Sequence, residues 1–171
     1  MIYRPAEDSY LLEKIVKKYA KNKSFLDIGA GSGIQSKAAL ESGAKSILAV
    51  DINPEAVQII KNKDIKVKLS NLFSNVKGKF DLIAFNPPYL PADKYDKEKD
   101  TTGGKKGDET ILKFLKQVKK HLEKKGKILL LVSSLTPRNR INALISKLGF
   151  KCKIATRHKL FMETLEVLCL E

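Results

Sequence analysis

Short apolar runs alternate with longer amphipathic segments along most of this chain, and that alternation constrains the fold more than any other feature. The runs that predict strands cover 24–28, 46–50, 65–69, 80–85 and 127–132. The segments whose apolar spacing predicts helices cover 9–19, 34–41, 54–62, 109–123 and 137–147. Because parallel neighbours in a sheet need crossover connections, this order predicts an α/β fold with a mostly parallel, doubly wound sheet. Residues 150–156 and 163–170 break the alternation and predict a terminal antiparallel hairpin.

The length of the chain predicts one domain, because 171 residues can bury one substantial core. We expect residues 1–171 to form a single domain in which an N-terminal helical segment, 1–23, packs on the core, with Asp8 or Ser9 as the helix cap. The longest apolar runs fall far short of the roughly 20 residues that span a bilayer. We therefore expect a soluble, cytoplasmic protein that does not associate with a membrane. The stretch 91–108 has no periodicity and predicts a surface loop.

Three glycines directly follow the first predicted strand: Gly29, Gly31 and Gly33 in the run Asp-Ile-Gly-Ala-Gly-Ser-Gly. Glycines permit positive φ and let a ligand approach the backbone closely. In open α/β sheets, ligands bind at the carboxyl ends of the strands, where this loop is expected to lie. A tight strand-to-helix turn without a ligand would use the same residues, so the loop alone does not establish a binding site.

Two carboxylates indicate which ligand the loop would hold. Asp51 closes the second predicted strand about 20 residues after the loop, where its side chain can accept hydrogen bonds from both ribose hydroxyls. Asp27, beside the loop, would repel a pyrophosphate but attract the ammonium or sulfonium end of S-adenosylmethionine. The third glycine of the dinucleotide fingerprint would fall at Ile34, which departs from that pattern. The sequence therefore favours S-adenosylmethionine over NAD as the cofactor.

Further cofactor contacts are expected from the ends of the second and third predicted strands. Ile52 directly follows Asp51, and Asn71 and Leu72 lie just past the third strand, where they could meet the edge and face of the adenine. Asn71 could equally cap a turn, because asparagine favours that position.

Residues 86–89 read Asn-Pro-Pro-Tyr and follow the fourth predicted strand, which brings them beside the glycine loop at the same sheet edge. We predict that the side-chain carbonyl of Asn86 and the backbone carbonyl of Pro87 accept the two N–H bonds of a planar amide or exocyclic amine. Tyr89 would pack on the planar group, and Asn86 would also adjoin the cofactor. Because the lone pair of such a nitrogen is delocalised, holding it in line with the methyl carbon does much of the catalysis. A proline-rich turn leaving a strand is the alternative interpretation.

Net charge and cysteine spacing limit which partners and metal ions are expected. The formal net charge of +14 favours an acidic partner such as nucleic acid, although a solvated lysine surface would give the same composition. Cys152 and Cys169 lack the spacing of a metal site, and no metal is expected.

Taken together, 27–33, Asp51 and 86–89 resemble the HemK-like amino-methyltransferases, a branch of the class I Rossmann-like methyltransferases. The segment 3–12 and the later Gly-Gly-Lys-Lys-Gly at 103–107 look like the eukaryotic and archaeal release-factor glutamine methyltransferases. The resemblance covers almost the whole chain. One departure is Asn71, where many members of that branch carry an acidic residue.

That resemblance implies a substrate and a partner. The substrate would be the glutamine of the Gly-Gly-Gln motif in a class I peptide-chain release factor, with N5-methylglutamine as the product. The partner would be a small zinc-binding activator subunit, forming a heterodimer over an apolar edge of the enzyme. A nucleic-acid base methyltransferase acting on adenine N6 or guanine N2 remains the alternative function, because those amines present the same geometry and a basic surface favours phosphate. It is less favoured, because the chain shows little of an additional recognition module.

Overall fold

The computed structural model describes residues 3–89 and 106–171. The helices are α1 (Glu7–Tyr19), α2 (Ile34–Glu41), α3 (Pro54–Ile59), α4 (Glu109–Val118) and α5 (Asn139–Lys147), with one 3-10 turn at Lys119–His121. The strands are β1 (Ser24–Ile28), β2 (Ser46–Asp51), β3 (Ile65–Leu69), β4 (Phe80–Phe85), β5 (Leu122–Ser133), β6 (Cys152–Lys159) and β7 (Thr164–Leu170). Of the surface loop expected at 91–108, the positions up to 105 lie outside the described residues, as does most of the glycine-lysine run at 103–107.

The strands form one sheet in the order β3-β2-β1-β4-β5-β7-β6. Its first five strands run parallel, whereas β7 is antiparallel to both β5 and β6. This arrangement confirms the predicted α/β fold, a mostly parallel sheet that ends in an antiparallel hairpin. Because β1 lies between β2 and β4, and all three run parallel, the loops after these strands meet at one edge of the sheet.

Apolar side chains cover both faces of the sheet. On one face, Leu12 and Val16 of α1 and Ala38 of α2 join inward residues of the strands in a buried cluster. On the other face, Phe114 of α4 and Ile141 of α5 are fully buried in a second cluster. Successive residues of a strand point to opposite faces, so one buried strand supplies both clusters. No helix within the described ranges is both long and apolar enough to cross a bilayer.

Several element boundaries differ from the prediction, among them the end of α3 (predicted 54–62), the start of α5 (predicted 137–147) and both ends of β6 (predicted 150–156). Two further differences have identifiable reasons. The helix expected at 109–123 ends at Val118, and β5 begins at Leu122, which pairs with Phe80 at the start of β4. That pairing joins residues far apart in sequence, so the local helical spacing could not reveal it. The first helix begins at Glu7, with Ala6 at the N-cap, instead of being capped by Asp8 or Ser9. Both of those residues are buried in the first turn.

Candidate active site

A cavity of about 380 Å³ opens at the carboxyl edge of the parallel strands. Its walls come from the loops after β1, β2 and β4, from the start of α2 and from the first turn of α1. The volume falls within the range of about 300–1,000 Å³ that is typical of small-molecule sites. The predicted site residues that line it are Asp27, Gly29, Gly31, Asp51, Ile52, Asn86, Pro87 and Tyr89.

The glycine loop adopts the backbone conformation that its sequence predicts. Gly29, Gly31 and Gly33 all have positive φ, at 65°, 50° and 77°. Gly29 and Gly31 line the cavity, whereas Gly33 does not. A Cβ on Gly33 would lie 2.9 Å from Cγ1 of Ile60, so this glycine permits close packing where α2 begins. The absence of a side chain at Gly33 therefore lets the loop pack closely against Ile60.

The carboxylate of Asp51 ties the glycine loop to the end of β2. Its Oδ2 accepts the backbone N–H of Gly31 at 2.8 Å, and its Oδ1 accepts that of Asn53 at 2.8 Å. Each carboxylate oxygen can accept more than one hydrogen bond, so both retain capacity toward the cavity that they line. Asp51 thus shapes the loop and offers two acceptors to a ligand.

Asp27 is a buried carboxylate at the base of the same cavity. Its Oδ2 accepts the backbone N–H of Ser36 at 3.0 Å and the Ser36 hydroxyl at 2.7 Å. The pKa of Asp27 is raised to about 7, chiefly by burial and to a smaller extent by the charge of Asp51, while the Ser36 hydrogen bonds oppose the shift. A cation bound beside Asp27 would favour its ionised form.

Asn86 is held by a network that spacing in the sequence did not reveal. Its Nδ2 donates to Oδ2 of Asp8 at 3.1 Å. The Tyr3 hydroxyl donates to the same carboxylate at 3.1 Å, and the Ser9 N–H donates to its Oδ1 at 2.6 Å. Because Asp8 accepts hydrogen bonds, the Asn86 amide must turn its NH2 toward α1 and its carbonyl the other way.

The carbonyl oxygen of Asn86 is left as an unsatisfied acceptor. It is buried, and it has no hydrogen-bond partner among residues 3–89 and 106–171. Leaving such an atom unpaired costs about 1–3 kcal/mol, so a donor supplied by a ligand would relieve that cost. Gln35 presents a second case in the cavity wall: its Nε2 donates to the Ser9 carbonyl at 2.9 Å, while its buried Oε1 has no partner in the described chain.

Tyr89 closes the Asn-Pro-Pro-Tyr run against the core. Its side chain packs against the apolar cluster that contains Leu12 of α1, and its carbonyl accepts the Thr136 hydroxyl at 3.1 Å. Burial, followed by the charges of Asp8 and Glu163, raises the pKa of the Tyr89 phenol. Tyr89 therefore stays neutral near pH 7.

Besides Gly33, two predicted cofactor residues lie away from the cavity wall. Asn71 is exposed, and its N–H donates to the Ser74 hydroxyl at 3.0 Å in the turn after β3. Leu72 is half-buried against the apolar cluster on the α4 and α5 face. No group of three or more potential metal ligands comes together in the part of the chain that the structure describes.

Similarity to solved structures identifies this architecture as the class I, Rossmann-like methyltransferase fold. A chain of the E. cuniculi Mtq2–Trm112 complex, which is responsible for methylation of the eRF1 translation termination factor, superposes with a TM-score of 0.82 at 23% identity, over 99% of this chain and 98% of that one. The protein belongs to the methyltransferase small domain family, whose model matches residues 7–162. S-adenosylmethionine is therefore its methyl donor.

Two relatives agree with that assignment. The Methanocaldococcus jannaschii protein named "Putative protein N5-glutamine methyltransferase" is 42% identical over 98% of this chain and 90% of its own length. The release factor glutamine methyltransferase of Aquifex aeolicus is 31% identical over 90% of this chain, which spans 62% of that longer protein.

Proposed function

We propose that this enzyme transfers a methyl group from S-adenosylmethionine to the side-chain amide nitrogen of a protein glutamine, that of the Gly-Gly-Gln motif in a class I release factor. The observation that carries the proposal is the fixed Asn86 amide, whose buried carbonyl lacks a partner among the described residues while its NH2 is held by Asp8. The names of the M. jannaschii and A. aeolicus relatives support glutamine as the acceptor.

The residues around the cavity fit S-adenosylmethionine. Asp51 offers acceptors for ribose hydroxyls, and exposed Ile52 offers an apolar surface for adenine. Asp27 and the unpaired Oε1 of Gln35 suit an ammonium group, because both are acceptors and one is anionic when ionised. Asn71 and Leu72 would complete the adenine side. The bound cofactor supplies an electrophilic methyl group on a positively charged sulfur.

The acceptor nitrogen is positioned by carbonyl groups. Asn86 Oδ1 accepts one N–H of the substrate amide, and the Pro87 carbonyl accepts the other. Tyr89 packs on the amide plane. An amide nitrogen is a poor nucleophile because its lone pair is delocalised, so rate enhancement comes from orienting it at close range. The positive charge that develops on the nitrogen strengthens both hydrogen bonds in the transition state. The surplus proton then leaves to water, without a dedicated base.

Asp8 acts through Asn86 as a positioning residue. An asparagine side chain can present either its NH2 or its carbonyl to a given partner, and only the carbonyl can accept a substrate N–H. The Asp8 carboxylate selects the productive orientation, because a flipped amide would oppose two acceptors. Tyr3 and the Ser9 N–H hold Asp8 itself in place.

A small partner subunit would cover the apolar surface beside edge strand β3. Ile59 and Leu69 are each 49% exposed, and both lie at or near the edge of the sheet where β3 has a single neighbour. Exposed apolar groups next to an unpaired strand edge are typical of interaction sites. The E. cuniculi structure is a complex of Mtq2 with Trm112, which supports a partner subunit as the occupant. That this subunit is a small zinc-binding activator is what the family resemblance implies.

Base methylation is the alternative function, favoured by the net charge of +14. Adenine N6 and guanine N2 would present an NH2 group to the same pair of carbonyls.

The test uses labelled S-adenosylmethionine and a cognate release factor, followed by peptide mass spectrometry. We expect label on the glutamine of the Gly-Gly-Gln motif and none on a substrate in which that glutamine is asparagine. Running the assay with and without a candidate activator, and with Leu69→Glu to disturb the β3 surface, tests the partner. Label in added RNA, with none in the factor, would replace this proposal by base methylation.

The affinity for S-adenosylmethionine should fall as the pH falls through 7. In the free enzyme the pKa of Asp27 is raised to about 7, so the carboxylate that attracts the cation is lost below that value. Between pH 8 and pH 6 the ionised fraction falls about tenfold, and Kd should rise by a similar factor. Calorimetric titration across this range measures the effect.

The matched control for that titration is Asp27→Asn, which keeps the shape but cannot ionise. Its affinity should be weak at every pH and nearly flat between pH 6 and pH 8. A wild-type Kd that does not change over this range would show that Asp27 does not bind the cation.

A further inference from the structure

Exposed lysines gather at the sheet edge opposite the cavity. They lie in the segments that precede the parallel strands and β6, or in the first residues of β5 and β6. β6 begins at Cys152, opposite Leu170 at the end of β7, and Leu170 pairs with Ile128 of β5. Because Ile128 also pairs with Ile83 of β4, the first residues of β6 lie toward the same edge. We call these side chains the basic edge: Lys21, Lys23, Lys45, Lys63, Lys77, Lys79, Lys119, Lys120, Lys124, Lys125, Lys151 and Lys153.

Backbone contacts and charge effects bring these segments together. The N–H of Lys45 donates to the carbonyl of Lys23 at 2.8 Å, joining the starts of β1 and β2. Hydrogen bonds from Ser24 lower the pKa of Asp81 at the start of β4, and the charges of Lys23 and Lys45 lower it further. At the other side, a hydrogen bond from Lys127 lowers the pKa of Glu171, with added effect from Lys153.

At this edge, positive side chains outnumber negative ones. The acids at or beside the basic edge, within the described residues, are Glu41, Asp64, Asp81, Glu123 and Glu171, fewer than the lysines. The opposite edge holds the carboxylates Asp8, Asp27 and Asp51 around the cavity. A surface with this excess of one sign focuses a positive field on whatever approaches it.

We propose that the basic edge binds the phosphate backbone of double-stranded nucleic acid. Seven strands spaced about 4.8 Å apart make an edge about 29 Å long, close to one turn of a duplex at roughly 34 Å. Lysines act as point charges for phosphates, whereas base recognition favours the planar fork of arginine, which the basic edge lacks. Binding at this edge contacts the backbone without reading sequence.

The remaining chemistry of the edge favours a duplex over other polyanions. The large exposed apolar and aromatic side chains of the described chain include Tyr3, Tyr10, Ile52 and Phe161, which lie near the cavity, near β3 or in the β6–β7 turn. Single-strand binding uses aromatic platforms for stacked bases, and membrane binding inserts apolar groups. Within the described residues, the lysine segments carry no exposed aromatic platform and no apolar cluster; Ile154, next to Lys153, is the large apolar side chain exposed among them. The cavity stays accessible, because it opens at the opposite edge.

The test compares two charge-reversal variants of the full chain by fluorescence anisotropy with a labelled 20-base-pair RNA duplex in 50–300 mM KCl. One combines Lys45→Glu, Lys77→Glu, Lys124→Glu and Lys153→Glu, one lysine from each of four segments of the basic edge. The matched control combines Lys14→Glu, Lys37→Glu, Lys113→Glu and Lys159→Glu, which are exposed elsewhere and change the net charge equally. DNA duplex, single-stranded RNA and anionic vesicles serve as competitors.

We expect wild-type binding to weaken steeply with salt, since each phosphate contact releases counterions. The edge variant should bind about 100-fold more weakly, while the control changes less than about fivefold. Competition by RNA but not DNA duplex would assign the natural ligand to RNA. Equal losses in both variants, binding only to single strands or vesicles, or no binding at 50 mM KCl would each overturn the proposal. S-adenosylmethionine titration verifies folding, and paired Lys→Gln variants replace any charge reversal that fails to fold.

Discussion

Asn86→Ala should lower kcat by about 1,000-fold while the enzyme still binds S-adenosylmethionine within a few-fold of its normal affinity. The substitution removes the buried Oδ1 that would accept a substrate N–H, and removing one such preorganised group from an active site typically costs 100- to 1,000-fold in rate. The loss of the second contact, to Asp8, adds to the misalignment. Single-turnover kinetics with saturating substrate separates this effect on the chemical step from any effect on binding.

Two controls accompany that measurement. Calorimetric titration measures the affinity of Asn86→Ala for S-adenosylmethionine. Thermal unfolding shows whether the variant is folded. A variant that retains more than a tenth of the wild-type kcat would show that Asn86 does not hold the acceptor nitrogen, whatever the substrate is.

Asp8→Ala should lower kcat by about 100-fold, although Asp8 contacts neither reactant in the proposed mechanism. Without the carboxylate, the Asn86 NH2 loses its acceptor and the amide can turn its carbonyl away from the substrate. Asp8→Asn keeps one acceptor oxygen and should recover part of the rate. Tyr3→Phe removes one of the hydrogen bonds that hold Asp8 and should cost less, about threefold to tenfold.

The decisive comparison for Asp8 is a double-mutant cycle with Asn86. If Asp8 acts by orienting Asn86, the double variant should be no slower than Asn86→Ala alone, because nothing is left to orient. Multiplicative losses in the double variant would mean that Asp8 contributes independently, for example to cofactor binding. A general loss of stability would appear in the thermal unfolding of Asp8→Ala and would not be rescued selectively in kcat by Asp8→Asn.

The sequence predicted those parts of the fold that depend on local periodicity. The bounds of β1, β3, β4 and α2 match the prediction, because each is a short apolar run or stripe flanked by clear breaks. The start of β5 was wrong, because residues 119–123 continue the helical spacing of α4 while the Leu122–Phe80 pairing is set by the sheet. Local spacing carries no information about such a partner.

The site divides in the same way. Asp27, Asp51 and Asn86 were predicted from their positions at strand ends, which topology brings to one edge. Asp8 and Gln35 come from helices, and their contacts with the site depend on how those helices pack. A signal for Asp8 did exist: it shares the buried stripe of α1 with Leu12 and Ile15, at spacings of four and seven residues. A charged residue on an otherwise apolar helix face is rarely there without a partner.

The position of β7 affects how the chain folds during synthesis. This strand comes last along the described residues, yet it lies inside the sheet, between β5 and β6. Until residue 170 has left the ribosome, β5 exposes a hydrogen-bonding edge that carries Leu129 and Leu131, and β6 has no neighbour. The sheet of a nascent chain therefore stays incomplete until β7 emerges and inserts between β5 and β6. Until that insertion, the unpaired edges of β5 and β6 leave the nascent chain prone to aggregation.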